Sequence, residues 1–168
     1  MDLYKKYFLI IVVLIGPLMG FGQELKPNLF FRTPQIVNYT INQSEVTYSP
    51  IISIGVGLSH KSRFIELATF ISDDDVYGFY TFFGTTLKTK QLGQDLKLHT
   101  NWFGEITYVP SQNQDLDYFM YTSGVCFFLN HSFEWGSIGI PFCLGLAYGQ
   151  DAISLNTRTV LNLSLNLK

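Results

Sequence analysis

His131, Ser132 and Glu134 are the residue types of a serine hydrolase site, which needs a nucleophile, a base and an acid that orients the base. Their spacing argues against that use, because adjacent side chains on an extended strand point to opposite faces. The surrounding stretch NHSFEWG also has the composition of a turn between two strands. We therefore predict no catalytic site here, and the rest of the chain gives no sign of enzymatic activity.

A second set of chemically active residues, Lys97, His99 and Glu105, occupies alternate positions of one segment. A proton or ion path would use such residues, and so would a buried set of ion pairs. Three further charged residues occupy the matching positions of other segments: Arg32, Glu66 and Arg158. Because both signs are present, the charges can neutralise one another where an unpaired ion would be costly. We expect an interior charge network.

Carboxylates and cysteines are the remaining candidates. The run Asp73-Asp74-Asp75 would suit a divalent cation, but it lacks the spacing of a calcium loop and is typical of a solvated acidic turn. Cys126 and Cys143 fall on the same face of consecutive predicted strands, as direct or diagonal neighbours. A disulfide in an oxidising compartment and two buried thiols both fit this placement. No CxxC or metal-ligand cluster occurs, so we predict no metal and no cofactor.

The segments that contain these residues alternate between apolar and polar side chains, which is the period of two expected of a β-strand. In the final stretch TVLNLSLNLK, leucines at 161, 163, 165 and 167 alternate with Asn162, Ser164 and Asn166. Six other segments alternate similarly: IISIGVGLSH, RFIELATFIS, VYGFYTFFGTTLK, LKLHTNWFGEITYV, YFMYTSGVCFFL and SIGIPFCLGLAY. LFFRTPQIVNYTI is a weaker candidate for the eighth strand, because Pro34 has no N–H to donate to a β-ladder. In SIGIPFCLGLAY, Pro141 predicts a bulge or a local distortion.

The side chains on the two faces of the strands predict which face meets lipid and which lines the polar interior. The polar rows are mostly Gly, Ser, Asn and Ala, and the strand charges fall on them, whereas the apolar rows carry no charge in their middle stretches. A lipid-facing exterior around a narrow polar interior requires this arrangement. A soluble lipocalin-like cup would reverse it, with an apolar cavity and a charged exterior. The pattern predicts an all-β, antiparallel up-and-down transmembrane β-barrel, and eight is the smallest number of strands for such barrels.

The N-terminal stretch predicts export. Lys5 and Lys6 precede an apolar run from Phe8 to Phe21, which ends in the small residues Gly20 and Gly22. This pattern is typical of a cleaved signal peptide over 1–22, which leaves 23–168 as one barrel domain. Without Lys5, Lys6 and Asp2, the 11 basic and 13 acidic residues become nine and twelve, a formal charge of −3. That balance excludes a basic nucleic-acid surface.

Charge in the predicted turns suggests an orientation. The turns at about 42–49, 72–76, 110–117 and 149–157 hold acids and no Lys or Arg, whereas the opposite turns hold Lys61, Arg63, Lys88 and Lys90. We expect the acidic turns to be extracellular. The outward tyrosines gather near them, where amphipathic rings favour the membrane boundary: Tyr39, Tyr77, Tyr108, Tyr121 and Tyr148.

A signal peptide, eight amphipathic strands, short turns and the strand TVLNLSLNL resemble the small eight-stranded outer-membrane barrels of the OmpA/OmpX type. Such barrels usually close with a terminal aromatic residue, whereas this sequence has Leu167-Lys168. The resemblance implies a Gram-negative outer membrane, with lipid, lipopolysaccharide and the barrel assembly machinery as partners. His131-Ser132 invites comparison with lipid A deacylases, which are similar barrels. In those enzymes one residue separates the His from the Ser, whereas His131 and Ser132 are adjacent.

The function expected from these patterns is structural or surface-interactive, without catalysis. The alternative is a secreted or periplasmic lipocalin-like barrel that binds a small apolar ligand. A lipid-modifying barrel enzyme is the third class. The face on which the leucines lie distinguishes the first two.

Overall fold

The computed structural model is a closed barrel of eight antiparallel strands, in which each strand pairs with its sequence neighbours and β1 pairs with β8. It describes residues 25–40, 45–72, 77–110, 118–149 and 152–167. The strands are β1 Lys26–Thr40, β2 Glu45–His60, β3 Arg63–Ser72, β4 Tyr77–Gln91, β5 Leu96–Val109, β6 Tyr118–Ser132, β7 Gly136–Gly149 and β8 Ala152–Asn166. Within these residues no helix is long and apolar enough to cross a membrane. The predicted fold class is confirmed.

Two connections are shorter than the sequence suggested. The turn expected at 42–49 was too long, because β2 already begins at Glu45, and the turn expected at 149–157 was wrong, because β8 begins at Ala152. Asn156 and Arg158 are buried inside the barrel, so the alternation of β8 continues through polar residues that resemble a loop. The signal peptide at 1–22 and the acidic run Asp73-Asp74-Asp75 lie outside the described residues.

The strands are staggered around the barrel. Following paired residues once around the sheet from Lys26 leads back to β1 at Asn38, twelve residues further along. Such a stagger tilts the strands, and eight tilted strands enclose an interior just wide enough for side chains. We call the end with the β2–β3, β4–β5 and β6–β7 connections the turn end, and the opposite end the loop end.

A β-bulge lies in β4, where the sequence predicted regular alternation. Thr86 pairs with Asn101 and Lys88 with Thr100, so Leu87 is the extra residue. At Pro141, where a distortion was expected, the β7–β8 pairing stops after Gly139–Asn162 and resumes at Phe142–Thr159 without a change of register. Because proline has no N–H to donate, a hydrogen bond is missing from the ladder at Pro141. The interruption is therefore not a bulge, since neither strand contains an extra residue there.

Candidate functional site

The outer surface of the barrel is apolar. Leu161 and Leu165 are 49% and 36% exposed, whereas Asn162 and Ser164 are 4% and 7% exposed inside the barrel. Asn166, at the end of β8, is exposed at the turn end. The predicted sidedness is confirmed for this strand, and it is the reverse of what a soluble cup with an apolar cavity requires.

The apolar surface continues around the barrel. Its largest exposed side chains over the middle of the strands include Ile52, Ile54, Val56, Phe31, Phe127, Phe142, Leu144 and Leu161. The strands contain 10 to 16 residues, and a tilted strand needs about 9–11 residues to cross a bilayer. Each strand is therefore long enough to span the hydrocarbon region.

Aromatic side chains lie near both ends of this surface. Tyr77, Tyr121 and Tyr148 are exposed near the loop end, as predicted, whereas Tyr108 is covered by Phe119 with a ring distance of 4.7 Å. The side chain of Tyr39 lies outside the described part of the chain.

The turn end has its own aromatic cluster, which the alternation of the strands did not predict. Phe133 and Trp135 stack with ring centroids 5.2 Å apart, and His131 contacts Phe133 edge-on at 4.8 Å. The three residues are close in sequence on either side of a strand end, and the signal that could have revealed them was their i, i+2, i+4 spacing. Such a cluster suits the boundary between lipid and water.

Two ion pairs lie inside the barrel. Arg158 Nη1 and Nη2 donate to Glu105 Oε2 and Oε1 at 2.5 and 2.6 Å. Arg32 Nη2 donates to Glu66 Oε1 at 2.8 Å, and its Nε donates to Asn162 Oδ1 at 2.6 Å. Each carboxylate thus neutralises one guanidinium across the interior, which limits the penalty of taking the charges out of water.

Lys97 and His99, the other two members of the expected network, lie nearer the turn end and take no part in these two ion pairs. His99 Nδ1 and Thr89 Oγ1 are 2.8 Å apart, a hydrogen bond made possible by the bulge, which places Thr89 opposite His99. Lys97 pairs with Gln91 and Asn130 in the ladders. The structure therefore groups four of the six charged or titratable residues and leaves two apart.

Aromatic rings fill more of the interior than the polar rows suggested. Phe82 stacks between Phe64 and Phe103, with ring centroids 5.6 and 5.1 Å apart. Interior glycines make room for such rings. Phe64 and Gly84 are direct cross-strand partners, and a Cβ atom on Gly84 would lie 2.8 Å from the Phe64 ring. The alternate pairing of rings with glycines lets a narrow barrel be filled without overlap.

Cys126 and Cys143 are direct partners of β6 and β7, and a disulfide joins them. Both cysteines are buried, at 2% and 4% exposure. The bond therefore forms part of the interior wall and is shielded from the outer surface.

A cavity of about 290 Å³ occupies the half of the interior nearer the turn end. Of its lining residues, Ser59 and His99 lie near the turn-end limits of β2 and β5. The other lining residues are Arg32, Phe64, Glu66, Phe82, Thr86, Asn101, Cys126, Phe128, Pro141, Cys143 and Arg158. Residues of both ion pairs and two of the stacked rings thus form part of the cavity wall.

The residues considered for catalysis, His131 and Ser132, do not line this cavity. His131 and Ser132 are the last residues of β6, rather than part of a turn, and adjacent strand residues face opposite sides. Ser132 accepts a hydrogen bond from Asn130 at 3.4 Å, whereas His131 packs on Phe133. In the part of the chain with described coordinates, no three His, Cys, Asp or Glu residues are arranged to hold a metal ion.

Comparison with known proteins supports the fold. No family model and no curated protein matches the chain. The crystal structure of Neisserial surface protein A is similar, with a TM-score of 0.55, 7% identity, and coverage of 84% of this chain and 99% of that one. The N-terminal barrel of Pseudomonas aeruginosa OprF has a TM-score of 0.46 and 11% identity, with coverage of 84% and 99%. The likeness to Neisserial surface protein A shows a shared fold. This is the architecture of the small outer-membrane barrels.

Proposed function

We propose that the protein is a small outer-membrane β-barrel with a structural or surface-interaction role and no catalytic activity. One observation carries the proposal: the apolar rows of the described side chains face outward, and Arg32–Glu66 and Arg158–Glu105 pair inside the barrel. A protein surrounded by water would gain nothing from exposing this many large apolar side chains, whereas a protein surrounded by lipid requires it.

The proposed orientation places the turn end in the periplasm and the loop end outside the cell. Lys61, Arg63, Lys88 and Lys90 then lie on the periplasmic side, and the acidic loops face the exterior. Partners for such a barrel are lipid, lipopolysaccharide and, during insertion, the barrel assembly machinery. Export through the signal peptide at 1–22 is part of the same proposal.

A pair of lysine substitutions tests the lipid-facing surface. Leu144 lies in the middle of β7 and is 44% exposed, whereas Leu165 lies at the turn end and is 36% exposed. Leu144→Lys should lower the free energy of unfolding in vesicles by about 2–4 kcal/mol, and Leu165→Lys by about 0–1 kcal/mol. Equal losses at the two sites, or recovery of the protein in a soluble fraction without detergent, would refute the proposal.

A further inference from the structure

The β-bulge in β4 reverses the face on which the following residues of the strand lie. Before the bulge, Thr86 lines the cavity, so the even-numbered residues of β4 face the interior. After Leu87, Thr89 faces the interior, because its hydroxyl oxygen lies 2.8 Å from Nδ1 of His99, another lining residue. Over the last part of β4 the odd-numbered residues therefore face inward and the even-numbered residues face outward.

The even-numbered residues of that last part are Lys88 and Lys90, and both are exposed. Since adjacent side chains of a strand point to opposite faces, the two lysines lie on the outer wall of the barrel. Without the extra residue at Leu87 they would point into the interior. Bulges commonly redirect side chains, and this one places two positive charges on a wall that consists mostly of apolar side chains.

Arg63 adds a third cation to the same part of the wall. Phe64 lines the cavity, so its neighbour Arg63 faces outward at the start of β3. Arg63 pairs with Thr85, and Lys88 is the next outward residue of β4 after Thr85. Diagonal neighbours on one face of a sheet lie about 7–8 Å apart, which lets two long cationic side chains reach a single phosphate group.

The three cations have no counter-charge among the described residues. None of their side chains makes a hydrogen bond or an ion pair with another described residue. Of the described acids between β3 and β5, Glu66 and Glu105 pair with arginines inside the barrel, and Asp95 lies in the β4–β5 turn. An anion that approaches the outer wall here would therefore meet uncompensated positive charge.

Aromatic surface lies directly beside these cations. Trp102 pairs with Thr85 on the same wall, is 39% exposed, and contacts Phe83 edge-on with ring centroids 6.2 Å apart. The wall thus changes from aromatic to cationic over one row of side chains. A ligand that fits both rows has an apolar part joined to an anionic group.

We propose that Arg63, Lys88 and Lys90 form a binding site for the phosphate headgroup of an anionic phospholipid in the leaflet around the turn end. The acyl chains would lie against Trp102 and Phe83, and the lysine stems would follow the wall while their ammonium groups reach the headgroup. The inference rests on the proposed function, because it requires lipid around the barrel. It adds one lipid class and one place on the wall.

Trp102 lies beside the site and reports which lipid occupies it. The single-tryptophan variant Trp135→Phe is folded into phosphatidylcholine vesicles that contain a small fraction of brominated phosphatidylglycerol, or the same fraction of phosphatidylcholine with identical brominated chains. We expect quenching to show that the anionic lipid is favoured at least about tenfold, since each cation beside an anionic surface contributes about fivefold. High salt should reduce this preference. Equal quenching by the two lipids would overturn the proposal.

Trp135 is the control within the same barrel, measured in the variant Trp102→Phe. It lies at the turn end as well, but the strands on either side of it, β6 and β7, contain no Lys or Arg. Its quenching should not distinguish the two lipids. An equal preference at both tryptophans would assign the effect to the whole protein and contradict a site at Lys88.

A variant of unchanged composition tests the direction of the lysines. Lys88→Thr with Thr89→Lys, combined with Lys90→Gln and Gln91→Lys, exchanges each lysine with its neighbour and turns both charges inward. The preference at Trp102 should fall at least about fivefold although the net charge is the same. An unchanged preference would show that the lysines only protect the strand edge beyond β3 from pairing with another chain, and would refute the site.

Circular dichroism in the same vesicles verifies that each variant has folded. A wild-type barrel that inserts but shows no lipid preference would refute this inference alone. Failure of the wild type to insert into either kind of vesicle would refute the proposed function instead.

Discussion

Both terminal nitrogens of Arg158 on β8 contact the carboxylate of Glu105 on β5, three strands away around the ring, at 2.5 and 2.6 Å. Glu105 is 1% exposed and also accepts a hydrogen bond from Thr107 Oγ1 at 3.1 Å. Removing one partner would leave the other charge buried without compensation, which is more costly than removing both.

Single and double substitutions test this pair. Glu105→Leu and Arg158→Met should each lower the free energy of unfolding by about 3–5 kcal/mol, and the double variant should recover most of that loss. Urea titration of the barrel in lipid vesicles measures the four free energies of the cycle. Additive losses would show that the two side chains act independently.

The same interior predicts that the barrel does not conduct ions. The two ion pairs and the stacked rings of Phe64, Phe82 and Phe103 occupy the middle of a narrow interior. In a planar bilayer the wild type should give no stepwise current. The double variant Arg32→Ala/Glu66→Ala removes one ion pair and should pass more current than the wild type. Stepwise currents in the wild type would contradict the prediction.

The disulfide between Cys126 and Cys143 should make a measurable contribution to stability. It closes a separation of 17 residues, and the chain-entropy model assigns about 3 kcal/mol to a loop of that size. Cys126→Ser/Cys143→Ser should lose about that free energy of unfolding. The wild type should match the variant once a reductant is present.

Alkylation gives an independent readout of the same bond. Denatured wild type without reductant should take up no iodoacetamide, and reduced wild type should take up two equivalents. Uptake of two equivalents before reduction would show free thiols.

The two tryptophans should report different depths in the membrane. Trp102 is 39% exposed on the outward face of β5, and Trp135 is 57% exposed in the cluster at the turn end. Brominated lipids should quench Trp102 best when the bromine is deep in the acyl chain, and Trp135 best when it is shallow. The single-tryptophan variants Trp135→Phe and Trp102→Phe isolate the two signals, and identical depth profiles would rule out this placement.

The glycine beside the stacked rings should tolerate no methyl group. A Cβ atom on Gly84 would lie 2.2 Å from the Trp102 carbonyl oxygen as well as 2.8 Å from the Phe64 ring. Gly84→Ala should lower the free energy of unfolding by about 1–3 kcal/mol, the range for overpacked cores.

Gly93 is the matched control for Gly84, since a Cβ atom there would meet only Leu96 Cβ, at an ordinary 3.7 Å. Gly93→Ala should change the free energy by less than about 0.5 kcal/mol. A larger loss at Gly93 than at Gly84 would contradict the packing explanation.

Period-two alternation was enough to predict the closed barrel and the face that each strand turns outward. It works because the side-chain period of a strand is fixed by backbone geometry and needs no knowledge of neighbouring strands. The Leu161–Asn162 alternation is the clearest instance. The extra residue at Leu87 could not be predicted in this way, because a bulge is defined by two strands and leaves each sequence looking regular.

The candidate site was predictable only in part for the same reason. Alternation placed Glu105 and Arg158 in the interior. Their contact depends on the stagger between their strands, and the two residues are 53 positions apart in sequence. The aromatic filling was hidden because Phe82 and Phe103 interrupt rows of small polar residues. The cavity follows from how those rings stack, and no single strand contains that information.

The pairing of Asn28 with Asn166 places the first and last strands side by side on one rim. A short linker could therefore join them, and new termini could be opened at the Lys61–Ser62 turn without breaking any of the eight ladders. Such a circularly permuted barrel would form the same closed ring of hydrogen bonds from strands that are synthesised in a different order. Comparing its stability and its rate of assembly with those of the wild type would separate the stability of the closed sheet from the order in which the strands assemble.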